Sequence, residues 1–190
     1  ALMQKTININ EELIEGCRNN NRRSQLQVYN QYYKAMYNSA YRILRDTAEA
    51  EDVMQESFLV AFRKIDEYKG EATFGAWLKR IVINRAIDEL KRRRETVSLD
   101  EKGIDIPADD GSENYLEMLS YKIEQIRKGI EMLGDEDRVI LSLLLIEGYD
   151  HEEISQVLGI TNNASRTRYS RARQRLRELL KKEKMNEFVN

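Results

Sequence analysis

From Asn10 to Arg94 apolar residues return at steps of three and four, the interval at which one face of an α-helix meets a core. Asn10 is placed to cap a first helix carrying Leu13, Ile14 and Cys17. After a polar break from Arg18 to Arg23, the series Leu26, Tyr29, Tyr33, Met36, Tyr37, Ala40, Ile43 and Leu44 predicts a long helix with one buried face. Asp46-Thr47-Ala48-Glu49 has the form of a capping box, in which the Asp46 carboxylate accepts from orphan amides and Glu49 reaches back. The helix it opens carries Val53, Met54, Phe58, Phe62 and Ile65. Lys69-Gly70-Glu71 breaks it, and Thr73 can cap a further helix through Phe74, Trp77, Leu78, Ile81, Ala86 and Leu90 into Lys91-Arg92-Arg93-Arg94.

The period then fails. From Glu95 to about Glu117 the chain contains Asp100, Glu101, Asp105, Asp109, Asp110, Glu113 and the only proline, Pro107, the composition of an acidic linker. Helical spacing resumes at Leu119 with Ile123, Ile126, Ile130 and Leu133, runs from Val139 to Ile146 and returns at Ile154, Val157 and Leu158. The expected fold is therefore all-α: one small helical domain over residues 1–94, a flexible acidic linker over 95–118, and a second helical domain over 119–190.

Composition agrees with a helical chain: one proline and nine glycines in 190 residues, 41% hydrophobic and 34% charged. No apolar run approaches the roughly 20 residues of a membrane span, and Gln4-Lys5-Thr6 is too polar for a secretory signal. Cytoplasmic residence without membrane insertion is expected. Cys17, the single cysteine, has no intramolecular partner and is expected as a reduced, partly buried thiol. A formal net charge of −2 argues by itself against nucleic-acid binding, but the average conceals how the charge is distributed.

Asp150-His151-Glu152-Glu153 is a second capping box, opening a short helix whose Ile154, Val157 and Leu158 face one way. Gly159 supplies a permissive backbone for a tight turn, Ile160 plugs the space between helices and Thr161 can cap the next one. This is the grammar of a helix-turn-helix. In the second helix Ser165, Tyr169, Ala172, Leu176 and Leu179 form the inward stripe, while Arg166, Thr167, Ser170, Arg171, Arg173 and Arg177 occupy the rest of the surface. Guanidinium groups on such a surface suit phosphates and the O6/N7 edge of guanine. A solvated basic face is the plain alternative, but nine basic residues against two acidic ones between Arg166 and Lys184, directly after a capped turn, favour DNA.

A second basic segment closes the first domain, where Lys79, Arg80, Arg85 and Lys91 to Arg94 stand against Asp88 and Glu89. Tyr68, Phe74 and Trp77 lie beside or within it, and aromatic faces next to cations suit unpaired bases. Trp77 shares a face with Phe74, Leu78 and Ile81 and is expected in the core, which leaves Tyr68 and the loop from Lys69 to Thr73 to meet an extruded base. Arg80, Asn84, Arg85, Asp88 and Lys91 recur at steps that form a DNA-facing surface, with Arg92 following.

Glu49, Asp52 and Glu56 fall on one side of a helix and resemble a carboxylate metal site, but His151, the only histidine, belongs to the other domain. A solvated or partner-binding face is the expectation, with no metal or cofactor. His151 is expected as a first-turn surface residue. Neither a Gly-rich phosphate loop nor a nucleophile with a local His/Asp partner pattern is present, so no enzyme is expected.

Over about Leu26 to Arg94 and Ile126 to Leu180 the chain resembles the extracytoplasmic-function group of the sigma-70 family. Ala50-Glu51-Asp52-Val53-Met54-Gln55-Glu56-Ser57-Phe58 is similar to the segment that binds the clamp helices of the polymerase's largest subunit, which implies docking by Asp52, Val53, Gln55 and Glu56. Tyr68-Lys69-Gly70 and the stretch from Phe74 to Asn84 are similar to the segment that melts and reads the minus-ten element. With the basic residues after them, this implies contacts from Tyr68, Lys69, Arg80, Asn84, Arg85, Asp88, Lys91 and Arg92. Gly148 to Gly159 and Arg166 to Arg173 are similar to the domain that reads the minus-thirty-five element, implying contacts from Arg166, Thr167, Ser170, Arg171 and Arg173. Gly134 stands where the family often has proline, and Asn163, Ala164 and Ser165 replace its usual glycine, threonine and valine.

The partners this resemblance implies are bacterial RNA polymerase core, promoter DNA and an anti-sigma factor. No residue marks a site for the last. Two rival readings remain at this point: a stand-alone helix-turn-helix repressor that binds a pseudo-palindrome as a dimer, and a metal-dependent enzyme built on Glu49, Asp52 and Glu56.

Overall fold

The computed structural model of the chain describes residues 11–96 and 115–187, in two compact units divided after Thr96. In the first unit, helix α1 (residues 11–18) turns sharply into α2 (Arg22–Leu44). Asn20 takes a left-handed φ of 54°, which asparagine tolerates, and the Asn21 side chain accepts from the Arg23 and Ser24 amides to start α2. Gly16 permits the close return, since a β-carbon there would come within 2.6 Å of Ser24 Cβ. Cys17, at 1% exposed, is a free thiol in this corner.

Helices α3 (Thr47–Arg63) and α4 (Phe74–Thr96) pack on α2 and on each other, with a 3-10 turn at Ile65–Glu67 between them. Met36, Ala40, Ile43, Leu44, Met54, Phe58, Leu78, Val82 and Ile83 fill the shared core, and Ala50, Ala61 and Ala86 let the backbones approach. The buried stripe of α2 omits Leu26, which is 59% exposed. Leu26 has the same helical direction as Leu44, five turns on and fully buried, so its exposure is set by its place near the start of α2 and not by its angle. The Asp46 box is half formed: Asp46 Oδ1 accepts from the Glu49 amide at 2.9 Å, but the Glu49 carboxylate turns to Arg93.

In the second unit, α5 (Tyr115–Glu131), α6 (Asp135–Leu141), α7 (His151–Leu158) and α8 (Asn162–Glu187) surround a smaller core of Ile130, Val139, Ile140, Leu141, Leu143, Ile154, Ala172 and Leu176. Helix α5 starts at Tyr115, within the stretch whose apolar period fails. Its Gly129 lies against Leu176 and Leu180 of α8, whereas Ile123 and Ile126, expected to be inward, are 46% and 40% exposed. The run from Val139 to Ile146 is not one α-helix. It widens into a π-helical segment at Ser142–Ile146, where the Glu147 amide reaches back five residues to the Ser142 carbonyl. Gly148, with φ of 76°, then turns the chain toward α7.

Candidate nucleic-acid interface

Helices α7 and α8 form the helix-turn-helix, and each of its predicted joints is present. Asp150 Oδ1 accepts from the Glu153 amide at 2.8 Å while Glu153 Oε2 accepts from the Asp150 amide at 3.0 Å, so this capping box is complete. Gly159 adopts a left-handed φ of 67°, and the Ile160 amide bonds back to the Ser155 carbonyl. Thr161 Oγ1 accepts from the Ala164 amide at 3.1 Å and begins α8.

His151 is more than a first-turn surface residue. Its Nδ1 shares a 2.9 Å hydrogen bond with Ser165 Oγ, and its ring meets Tyr169 edge-on at 5.7 Å. Ser165 is fully buried, so an unpaired hydroxyl there would be costly. The polar residue in the inward stripe of α8 and the chain's lone histidine are thus two halves of one contact between the helices.

On α8, Ser165, Ala172 and Leu176 point inward. Helical geometry then puts Asn163, Thr167, Ser170 and Gln174 opposite the core, Arg166, Arg173 and Arg177 on one flank, and Arg168 and Arg171 on the other; all are exposed. The five predicted contacts Arg166, Thr167, Ser170, Arg171 and Arg173 therefore share the outward half of one helix. Two are already engaged within it: Thr167 Oγ1 donates to the Asn163 carbonyl at 3.0 Å, and Arg166 Nε donates to Asn162 Oδ1 at 2.9 Å. Arg175, further along on the flank of Arg168 and Arg171, is taken up by an ion pair with α6. Its Nη1 donates to both Asp137 oxygens on α6, at 2.7 and 2.8 Å, which raises its pKa further.

In the first unit the outward stripe of α4 carries Arg80, Asn84, Asp88 and Lys91, all exposed. Trp77 belongs to that stripe and is half-buried, not core. Of the predicted quartet Phe74 and Leu78 are buried, but Trp77 lies on the side of the helix turned away from Val82, Ile83, Ala86 and Ile87. Trp77 is covered instead by its neighbours, with ring centroids 5.5 Å from Tyr68 and 5.6 Å from Phe74. Tyr68 also packs on Phe74 edge-on at 5.5 Å, and its hydroxyl donates to the Ala72 carbonyl at 2.7 Å, closing the loop around Lys69 and Gly70. A contact that the sequence did not suggest holds this loop from α1: Arg18 Nη2 donates to the Tyr68 carbonyl at 3.0 Å. Tyr32 lies beneath, its phenol pushed above the usual range by burial and by Tyr68.

Arg85 and Arg92 stand at the edge of the stripe in ion pairs. Arg92 grips Glu89 through Nε and Nη2 at 3.1 and 2.5 Å, holding that carboxyl below its usual range. Arg85 pairs with Glu56 of α3, and Arg93 with Glu49 at 3.1 Å. Two members of the acidic trio on α3 are thus committed to arginines of α4, and among the described residues no three His, Cys, Asp or Glu side chains cluster to hold a metal ion. Of the four docking candidates, Asp52, Gln55 and Glu56 are exposed, but Val53 is 6% exposed and belongs to the core. Leu59, one turn on and 61% exposed, extends the same face; an apolar residue outside the spacing of Val53, Met54, Phe58 and Phe62 is the sequence signal that could have found it.

Two families of sequence match this chain in order: Sigma-70 region 2 over residues 28–96 and Sigma-70, region 4 over residues 123–176. The first contains the aromatic and basic stripe, the second the helix-turn-helix. The ECF RNA polymerase sigma factor SigE of Mycolicibacterium smegmatis is 32% identical over 158 residues, covering 82% of this chain and 61% of that protein. The ECF RNA polymerase sigma-E factor of Salmonella typhimurium is 32% identical over 139 residues, 67% of this chain and 72% of that one. Among solved structures, the sigma factor RpoE in complex with the anti-sigma factor NepR from Bartonella quintana aligns over 82% of this chain and 95% of its own, with a TM-score of 0.56 and 26% identity.

The chain belongs to the sigma-70 family. Within it, the two regions and their relatives assign it to the extracytoplasmic-function group. No helix among the described residues is long and apolar enough to cross a membrane.

Proposed function

We propose that this chain is a promoter-specificity subunit that brings RNA polymerase core to selected promoters and assists strand opening. The observation that carries the reading is the pairing, in one chain, of a helix-turn-helix for duplex DNA with a separate basic stripe bordered by Tyr68 and Trp77 for unpaired bases. A stand-alone repressor needs the first and has no use for the second. Residues 119–190 hold the upstream element through Arg166, Thr167, Ser170, Arg171 and Arg173. Residues 1–94 meet the minus-ten element with Tyr68, Lys69, Arg80, Asn84, Arg85, Asp88, Lys91 and Arg92. The acidic segment 95–118 joins the two.

The mechanism follows from what each surface can bind. Asp52, Gln55 and Glu56, with Leu59 beside them, offer an acidic face with one apolar contact to the polymerase, and Val53 supports that face from beneath. Anchoring the duplex upstream limits the search for the downstream element. Unstacking costs about 1.4 kcal/mol per base-pair step, and capture of an exposed base near Tyr68 and Trp77 offsets part of it. The stripe's cations neutralise the backbone of the separated strand. No cofactor or ATP enters, and the protein does no covalent chemistry of its own, so it is not an enzyme in this scheme. It works in the cytoplasm, where the polymerase is. An anti-sigma factor is an expected partner, as in the complex of RpoE with NepR.

Run-off transcription with core polymerase and a promoter library tests the reading. The expected result is transcription from a defined subset of sequences only when this protein is added. Nanomolar sequence-specific DNA binding by the protein alone at physiological salt, with no promoter-dependent transcription, would overturn it.

A further inference from the structure

We infer that Asn162 is a positioning residue for upstream-element recognition, anchoring Arg166 of the recognition helix to Glu152 of the helix before it. The inference rests on the reading of α8 as the helix that enters duplex DNA. Asn162 Nδ2 donates to Glu152 Oε2 at 3.1 Å, and Asn162 Oδ1 accepts from Arg166 Nε at 2.9 Å. Glu152 offers only acceptors and Arg166 only donors, so a side chain lying between them must donate to the first and accept from the second, as the Asn162 amide does. Aspartate at this position would repel Glu152, and alanine would leave Arg166 without its tether.

The arrangement spans the motif. Glu152 lies in the first turn of α7, Asn162 is the first residue of α8, and Arg166 is one turn on, on the exposed flank. The bond uses Nε and leaves the Nη1 and Nη2 amino groups, a planar pair of the kind that grips O6 and N7 of one guanine. A long arginine normally loses rotamer freedom when it binds, and a tether at Nε removes part of that loss before DNA arrives. The effect of Asn162 should therefore appear as base discrimination, and only while Arg166 is present.

The test is in vitro transcription by the full chain with core polymerase on templates whose upstream element is randomised. Wild type, Asn162→Ala, Arg166→Ala and the double variant are compared by the ratio of best to worst templates. Arg166→Ala is expected to lower that ratio by about tenfold or more at the position it contacts, and Asn162→Ala by about threefold to tenfold at the same position. The double variant should match Arg166→Ala alone. Glu152→Ala, which removes the anchor from the other helix, should shift the same position by less; it carries the test if Asn162→Ala does not fold. An unchanged ratio in Asn162→Ala, or an equal change with and without Arg166, overturns the inference while leaving the reading of α8 standing. A loss of discrimination at no position in Arg166→Ala removes the contact on which the inference depends.

Discussion

Arg93 on α4 donates through Nη1 to Glu49 Oε2 on α3 and through Nη2 to the Leu44 carbonyl at the end of α2, both at 3.1 Å. One guanidinium thus ties three helices at the end of the bundle where α2 gives way to α3. It also explains why Glu49 does not complete its capping box: a half-buried cation offers its carboxylate a charge-assisted bond, stronger than a bond back to a backbone amide.

Arg93→Ala is therefore expected to destabilise the first unit by about 1–2 kcal/mol, more than loss of an exposed ion pair, because the Leu44 carbonyl loses a donor as well. Glu49→Ala should cost about half as much. Urea unfolding followed by Trp77 fluorescence, the chain's only tryptophan, measures both, and equal costs would contradict the two-bond account.

Glu56 and Arg85 pair across α3 and α4 although one is a candidate for polymerase docking and the other for DNA. Glu56→Gln weakens the hold on Arg85 and should raise the affinity of the polymerase-free protein for a single-stranded oligonucleotide by about twofold to fivefold at low salt. Fluorescence anisotropy reads it directly. No gain at low salt would mean that Arg85 does not face the strand.

Burial pushes the Cys17 thiol above its ordinary range. A native pKa above the unfolded one gives a contribution fully present below the unfolded value, which falls away as pH rises toward the raised native value. Cys17 should accordingly react with a thiol reagent at mildly alkaline pH only as fast as the first unit opens, and mild denaturant should accelerate it. Rapid, stoichiometric labelling of the native protein would contradict this.

Gly134 precedes α6 with φ of −58° and ψ of 158°, no side-chain cap, and nothing within 4 Å of where a β-carbon would sit. Any residue can take that backbone. Gly134→Ser reduces the freedom of the unfolded chain and supplies a capping oxygen, for an expected gain of about 0.5–1.5 kcal/mol in the second unit. Thermal unfolding reads the shift, and a lower midpoint would contradict it.

Arg171 is exposed on the flank of α8 away from Arg166. Arg171→Ala should weaken transcription from templates that depend on the upstream element by about fivefold or more, with less effect where that element is absent. An unchanged template preference in the same library would remove Arg171 from the contact set.

Much of the helix-turn-helix was legible because its architecture is written in local rules. The Asp150–Glu153 box, the left-handed Gly159 and the Thr161 cap each involve residues within three or four positions of one another, and each formed as the pattern predicts. Trp77 was not legible, since a quartet at helical spacing says that a face exists but not which neighbour covers it. Val53, drawn into the docking set by resemblance, turned out to be core for a related reason: family strings carry no information on which side chain points outward. The pairing of His151 with Ser165, fourteen positions apart, and of Arg18 with the Tyr68 carbonyl, fifty apart, lay outside any local rule.

By itself, the sequence determined most of the helices, the caps of the helix-turn-helix and the two concentrations of positive charge, because these depend on residues close along the chain and on hydrophobic spacing. Only the tertiary structure decided which of those charges are committed elsewhere. Arg175 is held by Asp137, Arg85 by Glu56 and Arg93 by Glu49, whereas Arg171 stands exposed on α8. The physical reason is that an ion pair between helices is a matter of distance in space, and two carboxylates on α3 reach arginines on α4 only after the core has brought those helices together.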